Sequence, residues 1–191
     1  MRNTLFIGAN TIKERTAVHS NIDDKSIMSE IKTAQDMFIL PALGTALYNR
    51  LQDGVDNANL TIQETALLDN YITDTLVYFV LSELPVGLSY QFYNKGLVRK
   101  SSENTDVPSM TELVDIANRY RIRAEYYKQR MIKFLRANAN GSLFPEYLNP
   151  GSGIDTIIPE RDGYQASIWL GNDTDCRMSL EKRYQGKNGL C

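Results

Sequence analysis

The chain has 191 residues, with 21 lysines and arginines against 23 aspartates and glutamates, and a formal net charge of −2. This length is sufficient for one domain with a core and some extensions, and the charge balance excludes binding of nucleic acid through overall positive charge. Cys176 and Cys191 lie close to the C-terminus, where a disulfide could not cross-link a core, so we expect reduced thiols. Residues 1–10 lack a signal-peptide core, and the most apolar run, residues 76–81, is too short to span a membrane. We expect neither export nor membrane insertion.

Residues 1–22 mix short apolar pairs with threonine, asparagine and glycine, and no helical period is present. We predict an extended N-terminal arm here. Asp23 and Asp24 then mark the start of the first helix, because acidic residues are favoured at its positive end.

A proline-marked corner follows at residues 34–51. Apolar residues recur at three- and four-residue steps up to Phe38, and Pro41, which lacks a backbone donor, is predicted to end the first helix. The same period restarts at Leu43, Leu47 and Leu51. The sequence therefore predicts two helices joined at a corner, with both apolar stripes facing inward.

A capping box at Thr61 and Glu64 predicts a third helix that runs to about Glu83. Within it, residues 76–81 are apolar on all sides, which is typical of a helix at the centre of a bundle or under a neighbouring subunit. We predict that Pro85 and Gly87 break this helix, that residues 88–93 form a short helical piece, and that residues 96–108 form a polar loop.

The last predicted helix begins at a second capping box, Ser109 and Glu112, and keeps its apolar period for about seven turns until the stop at residues 138–141. The predicted fold class is thus mainly α: a small bundle of about four helices over residues 23–143. The N-terminal arm, residues 1–22, precedes the bundle, and a long, partly β-like C-terminal arm, residues 144–191, follows it.

The C-terminal arm contains prolines and glycines that separate short β-like runs. Its tryptophan, tyrosines and isoleucines argue against permanent disorder, since disordered segments are poor in such residues. We therefore expect both arms to bury apolar groups on neighbouring molecules. The predicted contact residues are Phe6, Ile7, Ile157, Ile158, Trp169 and Leu170.

Residues for catalysis are scarce. His19 is the only histidine and lies in the predicted N-terminal arm, so one chain cannot assemble a histidine-based zinc cluster or catalytic triad. Acidic pairs such as Asp23 and Asp24 are better explained as helix-start residues than as acid and base partners. We predict that the protein is not an enzyme and binds no metal or cofactor.

The outer side of the last helix carries the strongest signal. Its seven basic residues oppose one acidic residue, Glu125; they are Arg119, Arg121, Arg123, Lys128, Arg130, Lys133 and Arg136. A solvated helix face would explain them, as would contact with acidic groups of a neighbour or with DNA phosphates. At 100° per residue, Ile122, Tyr126 and Ile132 are predicted to point away from the apolar stripe, which favours an interface. The predicted subunit or portal interface is Arg119, Ile122, Arg123, Tyr126, Arg130, Ile132 and Lys133.

Several segments resemble the head-to-tail adaptor, or connector ring, proteins of tailed bacteriophages. They are AQ at residues 34–35, PALGTALYNRL at 41–51, YNKGLVRKS at 93–101 and LFPEY at 143–147. The segment SIWLG at residues 167–171 resembles a closing segment of the crAss-like phage members. The long C-terminal arm departs from simpler adaptors, which leaves its partner open.

The resemblance implies a homo-oligomeric ring, typically 12-fold, that connects the portal to the tail and forms part of the DNA channel. The implied partners are the portal protein, other tail or ring proteins, and the genomic DNA passing through, with no membrane. The implied location is the portal vertex of the virion, after assembly in the cytoplasm of the bacterial host. A helical nucleic-acid-binding module that uses the basic face of the last helix remains the alternative, and its affinity would fall steeply with salt.

Overall fold

The computed structural model describes residues 4–94, 96–99, 108–153 and 155–160. The fold is mainly α, which confirms the predicted class. Two helical segments each contain a short π-helical turn, the first π turn (Gln35–Ile39) and the second π turn (Leu68–Ile72). The helices are α1 (Ala9–Arg15), α2 (Asp24–Ala34), α3 (Leu40–Leu43), α4 (Thr45–Asp56), α5 (Ile62–Leu67), α6 (Thr73–Ser89), α7 (Met110–Asn138) and α8 (Pro145–Leu148).

The first long helix does not end at Pro41 as predicted. α2, the first π turn and α3 form one continuous helical segment, and the chain leaves it only at Gly44, whose φ is +77°. A π turn bonds each N–H one residue further back than an α-helix does, which leaves a carbonyl unpaired. The first π turn ends at Ile39, two residues before Pro41, which has no N–H to offer. The helix therefore continues through Pro41.

The central helix is built in the same way. α5, the second π turn and α6 are continuous from Ile62 to Ser89, and the predicted capping box at Thr61 and Glu64 is present. This segment is long and apolar enough to cross a membrane by length and composition, but 56% of its most apolar window is buried inside the protein. α6 packs against both α2 and α7 and is the centre of the bundle.

The predicted break at Pro85 is also wrong, because α6 continues to Ser89. Leu84 is only 3% exposed, and Leu88 packs against the same core, so burial of this face offsets the hydrogen bond that proline cannot make. β1 (Tyr90–Tyr93) and β2 (Gly96–Arg99) pair as antiparallel strands, where a helical piece and the start of a loop were predicted. The run of aromatic and branched residues in these strands has higher strand than helix propensity. Residues 100–107 of the predicted loop lie outside the described residues.

The N-terminal segment is not an extended arm. Residues 9–15 form α1, and Phe6, Ile7 and Ile12 are buried in this chain's own core. The apolar residues here have no period because they enter the core from an irregular stretch and a two-turn helix. Phe6 packs edge-on against Tyr48, with 5.4 Å between ring centroids.

Two buried glutamines hold the N-terminal segment by its backbone. The Oε1 atom of Gln35 accepts a hydrogen bond from the Phe6 N–H at 2.9 Å, and its Nε2 atom donates to the Thr4 carbonyl at 2.9 Å. The Nε2 atom of Gln52 donates to the same carbonyl at 3.1 Å. These bonds satisfy backbone groups that α1 cannot satisfy.

Residues 155–160, the C-terminal segment, close the corner at Gly44. The Thr45 N–H donates to the Ile157 carbonyl at 3.1 Å, and the Ile157 N–H donates to the Oγ1 atom of Thr45 at 2.9 Å. The Glu160 N–H donates to the Pro41 carbonyl at 3.0 Å. The beginning of the predicted C-terminal arm is therefore part of the bundle.

Candidate protein-interaction surface

α7 presents one side to the core and the opposite side to solvent. Its predicted capping box is present, since the Oγ atom of Ser109 accepts from the Glu112 N–H and the Glu112 carboxylate accepts from the Ser109 N–H. The buried side packs mainly on α6 and the second π turn. It consists of Leu113, Ala124, Lys128, Met131, Ile132 and Leu135.

Six of the seven predicted interface residues lie together on the exposed side. Ile122 is 73% exposed and Tyr126 is 68% exposed, which is unusual for residues of this size. Four exposed cations surround them. We call this set the outer face of α7: Arg119, Ile122, Arg123, Tyr126, Arg130 and Lys133.

The seventh predicted interface residue, Ile132, is in the core and only 1% exposed. It belongs to the hydrophobic core cluster of the chain and lies one helical turn from Lys128. Ile132 therefore stabilises the single chain and is unavailable to a partner.

Two further cations of α7, Arg121 and Lys128, pair within the chain. The Arg121 guanidinium lies 4.8 Å from the centre of the Phe38 ring and 3.6 Å from the Oε1 atom of Glu83. The Nζ atom of Lys128 lies 2.7 Å from the Oε2 atom of Glu160, and its side chain is 11% exposed. These two residues hold α7 against the rest of the bundle.

The cations of the outer face have no carboxylate partner in the part of the chain that the structure describes. Arg130 lies over the Tyr71 ring at 4.8 Å, and Arg123 lies over the Tyr120 ring at 5.7 Å. Arg119 and Lys133 make neither type of contact within these residues. The outer face thus combines a strong positive charge with two exposed apolar side chains.

A groove that the sequence did not predict lies between the first half of α2 and the end of α6. Its volume is about 270 Å³, and Glu30 lies at one side of it. Burial, and then the charge of Glu83, raise the pKa of the Glu30 carboxyl. The lining residues are Lys25, Ser26, Ser29, Glu30, Leu84, Gly87 and Leu88. They come from segments more than fifty residues apart, so no local pattern in the sequence could have joined them.

The residues predicted as arm contacts differ in whether this chain buries them. Phe6 and Ile7 are covered by this chain, and Ile157 is partly buried against its core, so these three contacts are corrected to intramolecular packing. Ile158 is 69% exposed and available to a partner. Trp169 and Leu170 lie outside the described residues.

Residues for metal binding do not come together in the described ranges, where no three or more histidine, cysteine, aspartate or glutamate side chains form a group that could hold an ion. His19 is exposed, and its Nδ1 atom accepts a hydrogen bond from the Asn21 N–H at 3.1 Å.

A family model matches residues 39–157, from the corner at Pro41 through α7 to the C-terminal segment. The chain therefore belongs to this family, which is described as a family of unknown function (DUF6712). No curated protein and no solved structure matches the chain.

Proposed function

We propose that this protein is a virion structural protein that forms an oligomeric ring between the portal and the tail of a tailed bacteriophage. The proposal starts from the resemblance of residues 34–51, 93–101 and 143–147 to connector proteins. The ring, typically of 12 copies, contacts the portal and other tail or ring proteins and forms part of the channel for genomic DNA. The protein acts at the portal vertex after assembly in the host cytoplasm, without catalysis, cofactor or membrane.

The outer face of α7 is the observation that supports this proposal most directly. Ile122 and Tyr126 contribute little to the stability of a single chain in water, because they remain largely exposed. Covered by a partner, they would supply apolar anchors, and the surrounding arginines are a residue type enriched in interfaces. A surface of this kind fits a protein that works in an assembly.

The test is the mass of the purified chain, alone and mixed with the portal protein of the same phage, by native mass spectrometry. We expect the wild type to form a stoichiometric ring on the portal. The double variant Ile122→Asp, Tyr126→Asp should keep its fold by circular dichroism but fail to assemble. Ile62→Asp is the matched control, because Ile62 is 85% exposed yet lies on α5, away from the outer face.

Retained assembly of the double variant would show that the outer face is not the interface. A wild-type chain that forms no complex with the portal would contradict the connector role itself.

The second candidate is a helical nucleic-acid-binding module, favoured by the four exposed cations of the outer face. In that case the binding constant for duplex DNA should fall with salt on a double-logarithmic slope of about −3 to −4, near −0.9 for each phosphate contact. Arg119→Ala with Lys133→Ala should reduce the slope by about 2. If the chain does not bind the portal but shows this salt dependence with duplex DNA, the nucleic-acid-binding role would replace the connector role.

A further inference from the structure

The groove between α2 and α6 has the chemistry of a receptor for a basic side chain. Leu84 and Leu88 provide apolar lining, and the Glu30 carboxylate stands at one side. Lysine and arginine bury a long apolar stem while their charged end seeks a carboxylate. A groove with an apolar wall and one acidic end fits that shape and charge.

Glu30 has no hydrogen bond or ion pair within the residues described, and Lys25, which also lines the groove, forms no ion pair with it. The nearby charge of Glu83 is only partly offset by Arg121, at 3.6 Å. An arriving cation would relieve both the burial of the Glu30 carboxylate and its repulsion by Glu83.

The outer face of α7 carries the complementary charge. Arg119 and Lys133 have no carboxylate partner among the described residues, and α7 turns them away from α6. The outer face points away from α6, which forms one wall of the groove, so it does not cover the groove of its own chain. The two surfaces can meet only between two copies.

We infer that the outer face of α7 of one copy docks on the groove between α2 and α6 of the next copy, with a basic side chain of the outer face seated at Glu30. The contact joins two different surfaces, so it repeats from copy to copy and closes into a ring when the rotation permits. The inference rests on the proposed ring and names the pair of surfaces that would build it.

The experiment uses two charge-reversed variants of the full chain, Glu30→Arg and the double variant Arg119→Glu, Lys133→Glu. Sedimentation velocity over a range of concentrations should show that each variant alone self-associates at least about 100-fold more weakly than the wild type. Glu30→Arg places like charges in contact, and the double variant reduces the net charge of the outer face from +4 to zero and sets two carboxylates against Glu30. Glu14→Arg and Arg136→Glu are matched controls, since both residues are exposed and lie outside the two surfaces. They should associate like the wild type.

An equimolar mixture of the two reversed variants gives the sharper readout. Each copy then finds a complementary surface only on the other variant, so assembly should return, and native mass spectrometry should find equal numbers of the two chains in every complex. Reversed variants that fold but stay monomeric when mixed would overturn the inference. Unchanged self-association of Glu30→Arg, or a wild type that stays monomeric up to its solubility limit, would also overturn it.

Glu30→Gln separates an interface role from a merely structural one. A raised pKa means that the ionised carboxylate costs the single folded chain stability above pH of about 4.5. The neutral variant should therefore have a higher unfolding temperature at pH 7 and a weaker self-association, by about tenfold. Lower stability together with normal association would contradict the inference.

Binding to the portal is measured separately. If the wild type forms a ring on the portal and Glu30→Arg does so equally well, the surface pair is wrong while the connector role stands. If the reversed variants rescue each other but the wild type ignores the portal, the surface pair stands and the connector role fails.

Discussion

At the scale of single residues, Ile122 and Ile132 show how one helix has an exposed side and a core side. Both are large apolar residues of α7, but Ile122 is 73% exposed and Ile132 is 1% exposed. Ile132→Ala should lower the free energy of unfolding by about 2–4 kcal/mol, whereas Ile122→Ala should change it by less than about 0.5 kcal/mol. Chemical denaturation of the unassembled chain measures both, and equal losses would contradict this division.

Tyr48 makes the stability of the chain sensitive to alkaline pH. Its hydroxyl donates to the Oδ1 atom of Asp36 at 2.8 Å and accepts from the Nε2 atom of Gln35 at 2.9 Å. Burial raises the pKa of Tyr48 well above its ordinary value; the bond to Gln35 lowers it and Asp36 raises it further. The unfolded chain loses this proton near pH of about 10 while the folded chain keeps it.

The contribution of Tyr48 to the free energy of unfolding is thus complete below pH of about 10 and declines as the pH rises above that value. We expect Tyr48→Phe to lower stability at pH 7 and to flatten the decline in unfolding free energy above pH of about 10. The same change at exposed Tyr126 should leave the decline as it is in the wild type. Urea titrations at several pH values would show the difference, and a decline of equal slope in Tyr48→Phe would rule out this origin.

Six of the seven predicted interface residues could be placed on one side of α7 from the sequence, because a helix sets 100° between neighbours and all six lie opposite the apolar stripe. Ile132 could not, because its burial depends on packing within the core, which a helical period does not contain. A helical period gives the direction of a side chain but not the width of the arc that neighbours cover.

At the scale of the elements, the corner depends on Gly44. Its φ of +77° and ψ of 159° lie in a region almost restricted to glycine, and a Cβ atom there would approach the Cγ atom of Pro159 to 2.5 Å. Gly44→Ala should lower the free energy of unfolding by about 2 kcal/mol or more, given the usual 1–3 kcal/mol for such backbone strain. Gly141→Ala, with no atom within 4 Å of the added methyl group, is the control.

The ion pair between α7 and the C-terminal segment should respond asymmetrically to mutation. The side chain of Lys128 is 11% exposed and that of Glu160 is 38% exposed. Glu160→Gln leaves a cation that water can barely reach, whereas Lys128→Met leaves a carboxylate that water can solvate. We expect Glu160→Gln to cost about 1–2 kcal/mol and Lys128→Met to cost less. Thermal denaturation of both variants decides this, and the opposite order would contradict it.

The starts of the helices could be read from the sequence more reliably than their ends. Both capping boxes are local, and both are present. Pro41 and Pro85 were wrongly read as helix ends, because a π turn in one case and the buried face of Leu84 in the other keep the chain helical. Such compensation depends on packing that the sequence does not display.

At the scale of the whole molecule, composition and period predicted the mainly α class and left residues 76–81 either at the centre of the bundle or under a neighbouring subunit. The packing of the N-terminal and C-terminal segments on the bundle was not predicted. The N-terminal segment joins the core through Phe6 and the buried side chain of Gln35. The groove at Glu30 was missed because its walls come from α2 and α6. Contacts between distant segments were the common source of error.

Because the N-terminal segment packs on the core of its own chain, we expect its Phe6 amide to be protected from hydrogen exchange before any assembly. In the monomer, the Phe6 amide should exchange its hydrogen for deuterium slowly, because it donates to the buried Oε1 atom of Gln35. Gln35→Leu should accelerate this exchange while the amides of α6 stay protected. Hydrogen exchange followed by mass spectrometry measures both regions, and rapid exchange at Phe6 in the wild type would restore the picture of a free arm.

The bond between Ile157 and Thr45 spans 112 positions of the chain. During translation the corner emerges early, but the residues that complete it emerge only after most of the protein has been made. The nascent chain can therefore collapse around α6 while Pro41 and Thr45 still bond to water. Arrival of residues 157–160 then completes the hydrogen bonds of the corner, so a chain released too early would carry an unfinished corner.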